Sequence, residues 1–220
     1  MNKPINMTLS KKVIFLLPIL VSILSGCVSQ PPYDYSALIQ SKPRSIVVIP
    51  PMNNTVEVNA QYKFLSTISK PLADKGYYVF PVSVIDHFLK ENGLPTPAEM
   101  NSIPLDKIGE IIGADAVLYV SIDQWGQKFQ LISSKAIVGA KLRLVDVKTG
   151  AQLWDAKVYA EKASGDGGGG IMGALVAAVV EQVAGSIKDQ TVGLSRTANN
   201  MAINSRRRGL LDGPYRPVSP

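Results

Sequence analysis

Residues 135–163 read KAIVGAKLRLVDVKTGAQLWDAKVYAEKA and set the architecture of the second half of the chain. Small or apolar side chains occupy alternate positions on both sides of the turn-forming sequence Lys148-Thr149-Gly150. These positions are Ala136, Val138, Ala140, Leu142, Leu144, Trp154, Ala156, Val158 and Ala160. Lys135, Lys141, Arg143, Asp155, Lys157 and Tyr159 stand between them. Such alternation predicts an antiparallel hairpin with one buried and one wet face.

The first half of the chain contains short apolar runs instead. Three of them predict strands, and they lie at residues 44–50, 77–82 and 115–123. The run Arg44-Ser-Ile-Val-Val-Ile-Pro50 is rich in β-branched residues and does not alternate. It is therefore typical of a strand buried on both faces in a parallel sheet.

Helical spacing separates these predicted strands. Leu65, Ile68 and Leu72 predict a helix over residues 60–75, with Gly76 at the stop position and Pro71 causing a kink or a break into two pieces. A second helix is expected to be capped by Ser83, to run to about Glu91 and to end at Gly93.

Residues 94–104 contain three prolines and predict a loop, and a helix is expected from Leu105 to Ile112 with Gly113 closing it. After the hairpin, residues 164–170 predict a glycine-rich loop, and Ile171 to about Asn204 a C-terminal helix. The proline-containing residues 209–220 predict a loose tail.

The resulting fold class is α/β, with a single three-layer domain. Its mixed sheet of about five strands combines a parallel β-α-β-α-α-β first half with the antiparallel hairpin, and a C-terminal helix follows. Parallel neighbours joined through helices require right-handed crossovers.

The N-terminus carries the features of a secretory signal. Lys3, Lys11 and Lys12 precede the apolar run from Val13 to Leu24. As a helix this run would span about 18 Å, whereas the hydrocarbon core of a membrane measures roughly 30 Å. The run therefore predicts a cleaved signal peptide rather than a permanent span.

Leu24-Ser25-Gly26-Cys27 resembles the lipobox of bacterial lipoproteins, in which Leu24, Ser25 and Gly26 would be recognised by the signal peptidase. In that pathway the cysteine thiol is joined to a diacylglycerol, the chain is cut before the cysteine, and the new amine is acylated, for example with palmitate. A plain signal peptide with an accidental cysteine is the alternative. Because the only cysteine of the chain stands at the position that the motif needs, lipidation is favoured.

Composition narrows the function further. One Cys and one His exclude an internal disulfide, a multi-thiolate metal site and a His-pair metal site. We expect no cofactor other than the covalent lipid on Cys27. Removal of the three signal-peptide lysines lowers the formal charge from +6 to +3, which weakens any case for nucleic-acid binding.

Val28 follows the cysteine where an aspartate is associated with retention in the inner membrane, so we expect the outer membrane, with the protein facing the periplasm. Residues 28–43 read as a tether with a reach of about 22 Å if flexible. The predicted organisation is a signal peptide (1–26), a lipidated cysteine and tether (27–43), an α/β periplasmic domain (44–208) and the loose tail (209–220).

Several segments together resemble a family of bacterial lipoproteins of unknown function first noted among neisserial surface antigens. They are the lipobox, residues 45–51, residues 112–120 (IGADAVLYV) and the hairpin sequence from Leu144 to Trp154. That family is similar in fold to the periplasmic domain of the curli secretion lipoprotein, to the lipoprotein activators of penicillin-binding proteins and to the N-terminal domain of TolB. The resemblance implies self-assembly or protein–protein contacts, suggests a curli-secretion-like lipoprotein partner, and supplies no catalytic residues.

The loop from Gly165 to Gly170 matches the pattern Gly-x-Gly-x-x-Gly between a strand and a helix, where backbone amides could hold a phosphate. However, the preceding strand belongs to an antiparallel hairpin and no Lys-Ser/Thr pair follows. A flexible hinge or a surface that moves on assembly is the favoured interpretation.

Residues 171–180 are apolar all round, and about 15 Å of helix is too short to cross a bilayer. The helix is therefore expected to be buried in the fold or at a subunit interface. Small residues four apart, Gly173 with Ala177 and Ala174 with Ala178, would permit close helix approach and form a candidate oligomer seam.

Other candidate sites have simpler interpretations. His87 has no nucleophile and orienting acid placed to form a catalytic set, so a histidine at the solvent edge or in packing is expected. Arg206-Arg207-Arg208 could bind anionic lipid or other phosphates, or form a solvated helix end. The charged outer face of the hairpin argues against insertion into the membrane as a pore.

The sequence therefore predicts a non-enzymatic outer-membrane lipoprotein that self-associates as a component of an envelope assembly or secretion apparatus. The alternative is a regulatory lipoprotein that binds a periplasmic enzyme such as a peptidoglycan synthase. The expected partners are the membrane, further copies of this chain and a curli-secretion-like lipoprotein, with no nucleic acid and no small-molecule substrate.

Overall fold

A mixed β-sheet runs through the part of the chain that the computed structural model describes, residues 31–129, 134–163 and 190–217. Its strands are β1 (Ser45–Val48), β2 (Met52–Asn53), β3 (Tyr78–Val79), β4 (Ala116–Phe129), β5 (Ser134–Asp146) and β6 (Gln152–Ala163). The helices are α1 (Ser36–Ser41), α2 (Ala60–Asp74), α3 (Val82–Glu91), α4 (Pro97–Asn101), α5 (Leu105–Ile111) and α6 (Thr191–Ile203). The strand order is β3-β1-β4-β5-β6, with β2 also paired to β4.

The first half of the sheet is parallel, as predicted. β1 pairs in parallel with β3 and with β4, and β2 pairs in parallel with β4. Ile46 and Val48 enter one core layer, Val47 and Ile49 enter the other, and all four have no solvent exposure. This confirms the expectation of a strand buried on both faces.

The second half is an antiparallel meander. The predicted hairpin is confirmed, and the alternating apolar set from Ala136 to Ala160 lies in one core layer. β4 continues beyond the predicted Asp123 and pairs along its length with β5. A bulge between Ile122 and Gln124 changes the side-chain phase, so that Trp125 packs in the same layer as Val120 and Ile122.

The predicted three-layer arrangement with a mixed sheet is confirmed. α1, α2 and α6 supply Leu38, Phe64 and Leu194 to the core on one face of the sheet. α3, α4 and α5 supply Ile85, Met100 and Ile108 to the core on the other face. On that second face, Lys141, Arg143 and Lys157 remain exposed to solvent.

Three expectations for the helices of the first half are wrong. α2 is one helix that contains Pro71, so the predicted break into two pieces does not occur, because a row of buried side chains holds the helix on the sheet despite the missing amide hydrogen. α3 begins at Val82 after Pro81, whose carbonyl accepts from the amides of Val84 and Ile85, so Ser83 is not a cap.

The third correction concerns residues 94–104, which contain α4 rather than only a loop. Pro97 stands at the start of the helix, where its missing amide hydrogen costs no bond. Thr96 and Glu99 form a capping box, in which each side chain bonds the backbone amide of the other residue.

The predicted tether is shorter than expected, because the chain packs on the body from Tyr33 onward. α1 places Leu38 in the core with 3% exposure, and Lys42 ends this helix in a left-handed conformation. An apolar side chain inside the segment therefore draws it onto the sheet, and residues 33–43 belong to the packed body.

The expectation of a loose tail is wrong for residues 209–217. Leu210 has 1% exposure, the Gly213 amide donates to the Lys75 carbonyl at 2.7 Å, and the Tyr215 amide donates to the Gly76 carbonyl at 2.9 Å. A Cβ on Gly76 would lie 2.2 Å from the Arg216 nitrogen, so glycine is needed for this close approach.

α6 forms the last part of the predicted C-terminal helix, and residues 171–189 lie outside the described residues. Within the described ranges, no helix combines the length and the apolar character that a membrane crossing requires.

Candidate functional site

The turn between β5 and β6 explains the Asp-Val-Lys-Thr-Gly sequence. Asp146 accepts hydrogen bonds from the amides of Lys148 and Thr149 at 2.9 and 2.7 Å and from the Ser41 hydroxyl. Gly150 adopts a φ of 72°, which favours glycine. Burial acts to raise the pKa of Asp146, but these hydrogen bonds outweigh burial and hold its pKa below the ordinary value.

The Leu-Trp end of the same motif fixes the C-terminal segment. Trp154 has no solvent exposure, and its indole Nε1 donates to the Arg208 carbonyl at 2.8 Å. The Tyr35 hydroxyl donates to the next carbonyl, that of Gly209. The hairpin motif is therefore a structural device that joins the turn, β6 and the residues after α6.

Three side chains at the outer edge of β6 form what we call the anchoring corner: Tyr33, Asp155 and Arg208. The Tyr33 hydroxyl donates to Asp155 Oδ1 at 2.8 Å and accepts from the Asp155 amide at 3.0 Å. Arg208 Nη2 lies 3.0 Å from Asp155 Oδ2, and the guanidinium carbon lies 4.8 Å from the centre of the Tyr33 ring. Burial and the hydrogen bond to Asp155 raise the pKa of Tyr33.

The anchoring corner limits how far the body can lie from Cys27. Tyr33 follows Cys27 by only six residues, which span about 20–22 Å when fully extended. Whatever is attached to Cys27 therefore stays within that distance of the β6 edge.

A second feature is the loop of residues 54–59, which we call the valine loop. Val56 is 100% exposed and Val58 is 78% exposed. The loop is held by hydrogen bonds from Thr55 to the Asn53 side chain and from Asn53 Nδ2 to the Glu57 carbonyl at 2.8 Å. At the start of the loop, the Asn54 side chain donates to Ser121 and Asp123 on β4. These bonds hold two apolar side chains in water.

A third feature is a groove of about 380 Å³ between α3, α4 and α5. Its wall is largely apolar and includes Phe88, Leu94, Ile103, Ile111 and Ile112. Ile111 is 62% exposed at its rim. Among the described residues, no group of three or more His, Cys, Asp or Glu is placed to hold a metal ion.

The structure separates the predicted site residues. Leu24, Ser25, Gly26 and Cys27, the glycine loop 165–170 and the seam residues Gly173, Ala174, Ala177 and Ala178 lie outside the described residues. His87 is exposed, and its Nε2 lies 3.1 Å from Glu91 Oε1. Of the three arginines, Arg208 is engaged in the anchoring corner, whereas Arg206 and Arg207 are exposed.

The anchoring corner and the valine loop were not predicted from the sequence, for identifiable reasons. Tyr33 and Asp155 lie 122 positions apart, so their contact carries no local signal. The valine loop has a weak one, since Asn53 and Asn54 favour turns and two valines alternate with polar residues immediately after them.

Comparison with known proteins settles the relationship. Residues 33–215 match the family described as "Putative lipoprotein GNA1162-like". The chain belongs to this family.

A GNA1162-like relative, "Putative lipoprotein NMB1124/NMB1162" of Neisseria meningitidis serogroup B, is 39% identical over 197 residues, covering 88% of this chain and 92% of the relative. The crystal structure of lipoprotein GNA1162 from Neisseria meningitidis is 37% identical, covers 62% of this chain and 95% of that chain, and has a TM-score of 0.55. The PelC dodecamer from Paraburkholderia phytofirmans is 14% identical, covers 79% of this chain and 90% of that chain, and has a TM-score of 0.42. The resemblance that the sequence motifs carry is thus confirmed for the GNA1162-like lipoproteins.

Proposed function

We propose that this GNA1162-like protein is a non-enzymatic lipoprotein, anchored through lipid on Cys27 to the outer membrane and facing the periplasm. We propose further that it self-associates as a component of an envelope assembly or secretion apparatus. Two findings support the anchoring: the family and its neisserial relative are described as lipoproteins, and the packed body begins six residues after Cys27.

The valine loop is the observation that carries self-association. Exposing two valines to water is unfavourable, since burying such a side chain contributes about 1.5–3 kcal/mol. The hydrogen bonds of Asn53 and Asn54 hold the loop in place rather than letting the valines turn inward. A held apolar tip on a surface is typical of a protein contact.

A second copy of the chain is the occupant that fits this tip. Glu57 stands between the two valines, and Lys63 on α2 places its Nζ 3.5 Å from Glu57 Oε1. In a two-fold interface the same patch meets itself, so each copy offers one acid and one base to the opposite charges of the other. The valines of the two copies would then be buried between these charges.

Native mass spectrometry of the tagged full-length protein, extracted in detergent, tests the proposal. We expect a homo-oligomer of chains that each carry acyl groups on Cys27, and loss of the oligomer in the double variant Val56→Asp/Val58→Asp. The two introduced carboxylates would be buried in the interface of the oligomer, whereas in the monomer they would lie in water. Ile39→Asp and Val84→Asp are matched controls, because these side chains are 57% and 60% exposed elsewhere on the body.

Each part of the proposal can fail separately. An unmodified Cys27, or a Cys27→Ala variant that stays membrane-bound at the mature size, would contradict lipid anchoring. A strictly monomeric wild-type protein would contradict self-association, and a monomer that co-purifies with a peptidoglycan synthase would favour the regulatory alternative. An oligomer that survives both aspartates would remove the valine loop as its contact.

A further inference from the structure

We infer that the surface around Arg206 and Arg207 binds the anionic headgroups of phospholipids in the membrane that carries the anchor. This assignment rests on the proposed anchoring through Cys27, because the anchor decides which surface meets the bilayer. It adds an orientation to that proposal, with one corner of the body lying on the membrane.

The position of the two arginines is fixed by their neighbour. Arg208 contributes its guanidinium to Asp155 and Tyr33 and its carbonyl to the Trp154 indole. Arg206 and Arg207 directly precede this residue in the chain, and the guanidinium of Arg208 lies against Tyr33, where the packed body begins.

The charges of this surface are available to a partner. No ion pair between described residues includes Arg206 or Arg207, and both are exposed. Lys157 is exposed nearby on β6. Three acids lie in this area: Asp155 is paired with Arg208, Asp34 accepts from the amide and hydroxyl of Ser36, and Glu161 accepts a hydrogen bond from the Tyr159 hydroxyl. The surface therefore keeps an excess of positive charge.

An apolar groove of about 360 Å³ lies between β6 and α6, beside Arg208. Tyr159, Met201 and Ala202 line it, and Lys157 and Arg208 stand at its rim. Tyr159 is half exposed. Aromatic and apolar side chains beside basic ones are typical of surfaces that lie at the boundary between headgroups and acyl chains.

The short tether brings this surface into range. Electrostatic attraction to anionic lipids falls off within a Debye length, about 8–10 Å at physiological salt. Six extended residues reach at most about 20–22 Å, and any bend in them shortens the distance between the membrane and Tyr33, against which Arg208 packs. Attachment at Cys27 makes the contact intramolecular, and weak headgroup binding is then sufficient to orient the body.

Vesicle binding by residues 28–220, which lack the lipid, tests the surface directly. All the contacts described above lie within residues 31–217, so this chain retains the whole described core. We expect binding to vesicles of phosphatidylethanolamine with phosphatidylglycerol, little binding to phosphatidylcholine alone, and a decrease with added salt. Each arginine is expected to raise the partition coefficient about fivefold, so Arg206→Gln/Arg207→Gln should lower it about 25-fold.

The matched control is Lys90→Gln/Lys107→Gln, which removes the same charge from helices on the opposite face of the sheet. It should bind as the wild type does, and equal thermal unfolding of all variants confirms that they fold. Equal losses in both double variants, or binding that ignores phosphatidylglycerol, would overturn the inference. Complete competition by free glycerol phosphate would also overturn it, by showing a phosphate site instead of a membrane surface.

This assay does not depend on the proposed function. Failure of vesicle binding leaves lipidation and self-association untouched, since both are read from the mass of the full-length protein. Conversely, an unmodified Cys27 combined with vesicle binding would contradict the anchor and retain the basic surface.

Discussion

The parallel and antiparallel halves of the sheet are buried in different ways. In the parallel half, Ile46, Val47, Val48 and Ile49 are all fully buried, because helices cover both faces. In the antiparallel half, Leu142 and Leu144 are buried, whereas Lys141 and Arg143 between them are exposed. The difference teaches that the number of covered faces, rather than the strand itself, sets which residues a strand can contain.

The largest expected changes in the free energy of unfolding come from truncating side chains to alanine on both faces of each half of the sheet. Ile46→Ala and Ile49→Ala enter opposite layers and should each lower the free energy of unfolding by about 2–5 kcal/mol. Leu142→Ala should cost as much, but Arg143→Ala only about 1 kcal/mol or less, since its main contact is stacking 5.0 Å above the Tyr119 ring. Urea unfolding of residues 28–220 measures all four. Equal costs for Leu142→Ala and Arg143→Ala would break the comparison.

The second-largest loss of stability is expected at the edge of the parallel half, where the C-terminal segment forms hydrogen bonds with the residues after α2. Gly76→Ala should cost about 2 kcal/mol or more, because it combines a φ of 87° with a Cβ that displaces Arg216. Gly93→Ala is the matched control: its φ is 83°, but nothing lies within 4 Å of the added Cβ, so only the backbone cost of about 1 kcal/mol applies. Proteolysis and thermal unfolding compare the two. Equal destabilisation would show that the C-terminal segment does not depend on this contact.

The smallest effect sharpens the comparison at the turn of the antiparallel half. Asp146→Asn should cost about 1–2 kcal/mol at pH 7, because an amide replaces a carboxylate that accepts several hydrogen bonds. The pKa of Asp146 is lowered by folding, so its contribution is present above its ordinary value of 3.8 and is lost as the pH falls below that value. Thermal unfolding should therefore show the variant converging on the wild type in acid. A pH-independent gap between the variant and the wild type would contradict the role of the carboxylate.

The antiparallel half was predictable where alternation continues without interruption. The alternating apolar residues from Ala136 to Leu144 and from Trp154 to Ala160 lie in one core layer, on either side of a register shift between Leu144 and Val145 near the turn. The end of β4 was not predictable in the same way, because the bulge at Ile122 shifts the phase and places Trp125 on the core side out of step. In α4, the capping pattern of Thr96 and Glu99 was present in the sequence, but the surrounding prolines favoured a loop.

The candidate surfaces depend more on distant contacts. The lipobox at Cys27 is a local motif and can be identified from neighbouring residues alone. The anchoring corner joins the two ends of the described chain to β6, and no periodicity links Tyr33 with Arg208. For the same reason Leu210 was assigned to a loose tail, since two adjacent leucines among prolines and glycines give no periodic pattern.

The Tyr33 hydroxyl has a consequence for aggregation. It occupies the outward-facing amide of Asp155, at the beginning of a strand that ends the described sheet. Exposed strand edges can template pairing with foreign strands, and proteins often protect them. An intruding strand could not form its ladder at Asp155 without first displacing the tyrosine. The residue that begins the packed body thus also guards it against fibre-like growth.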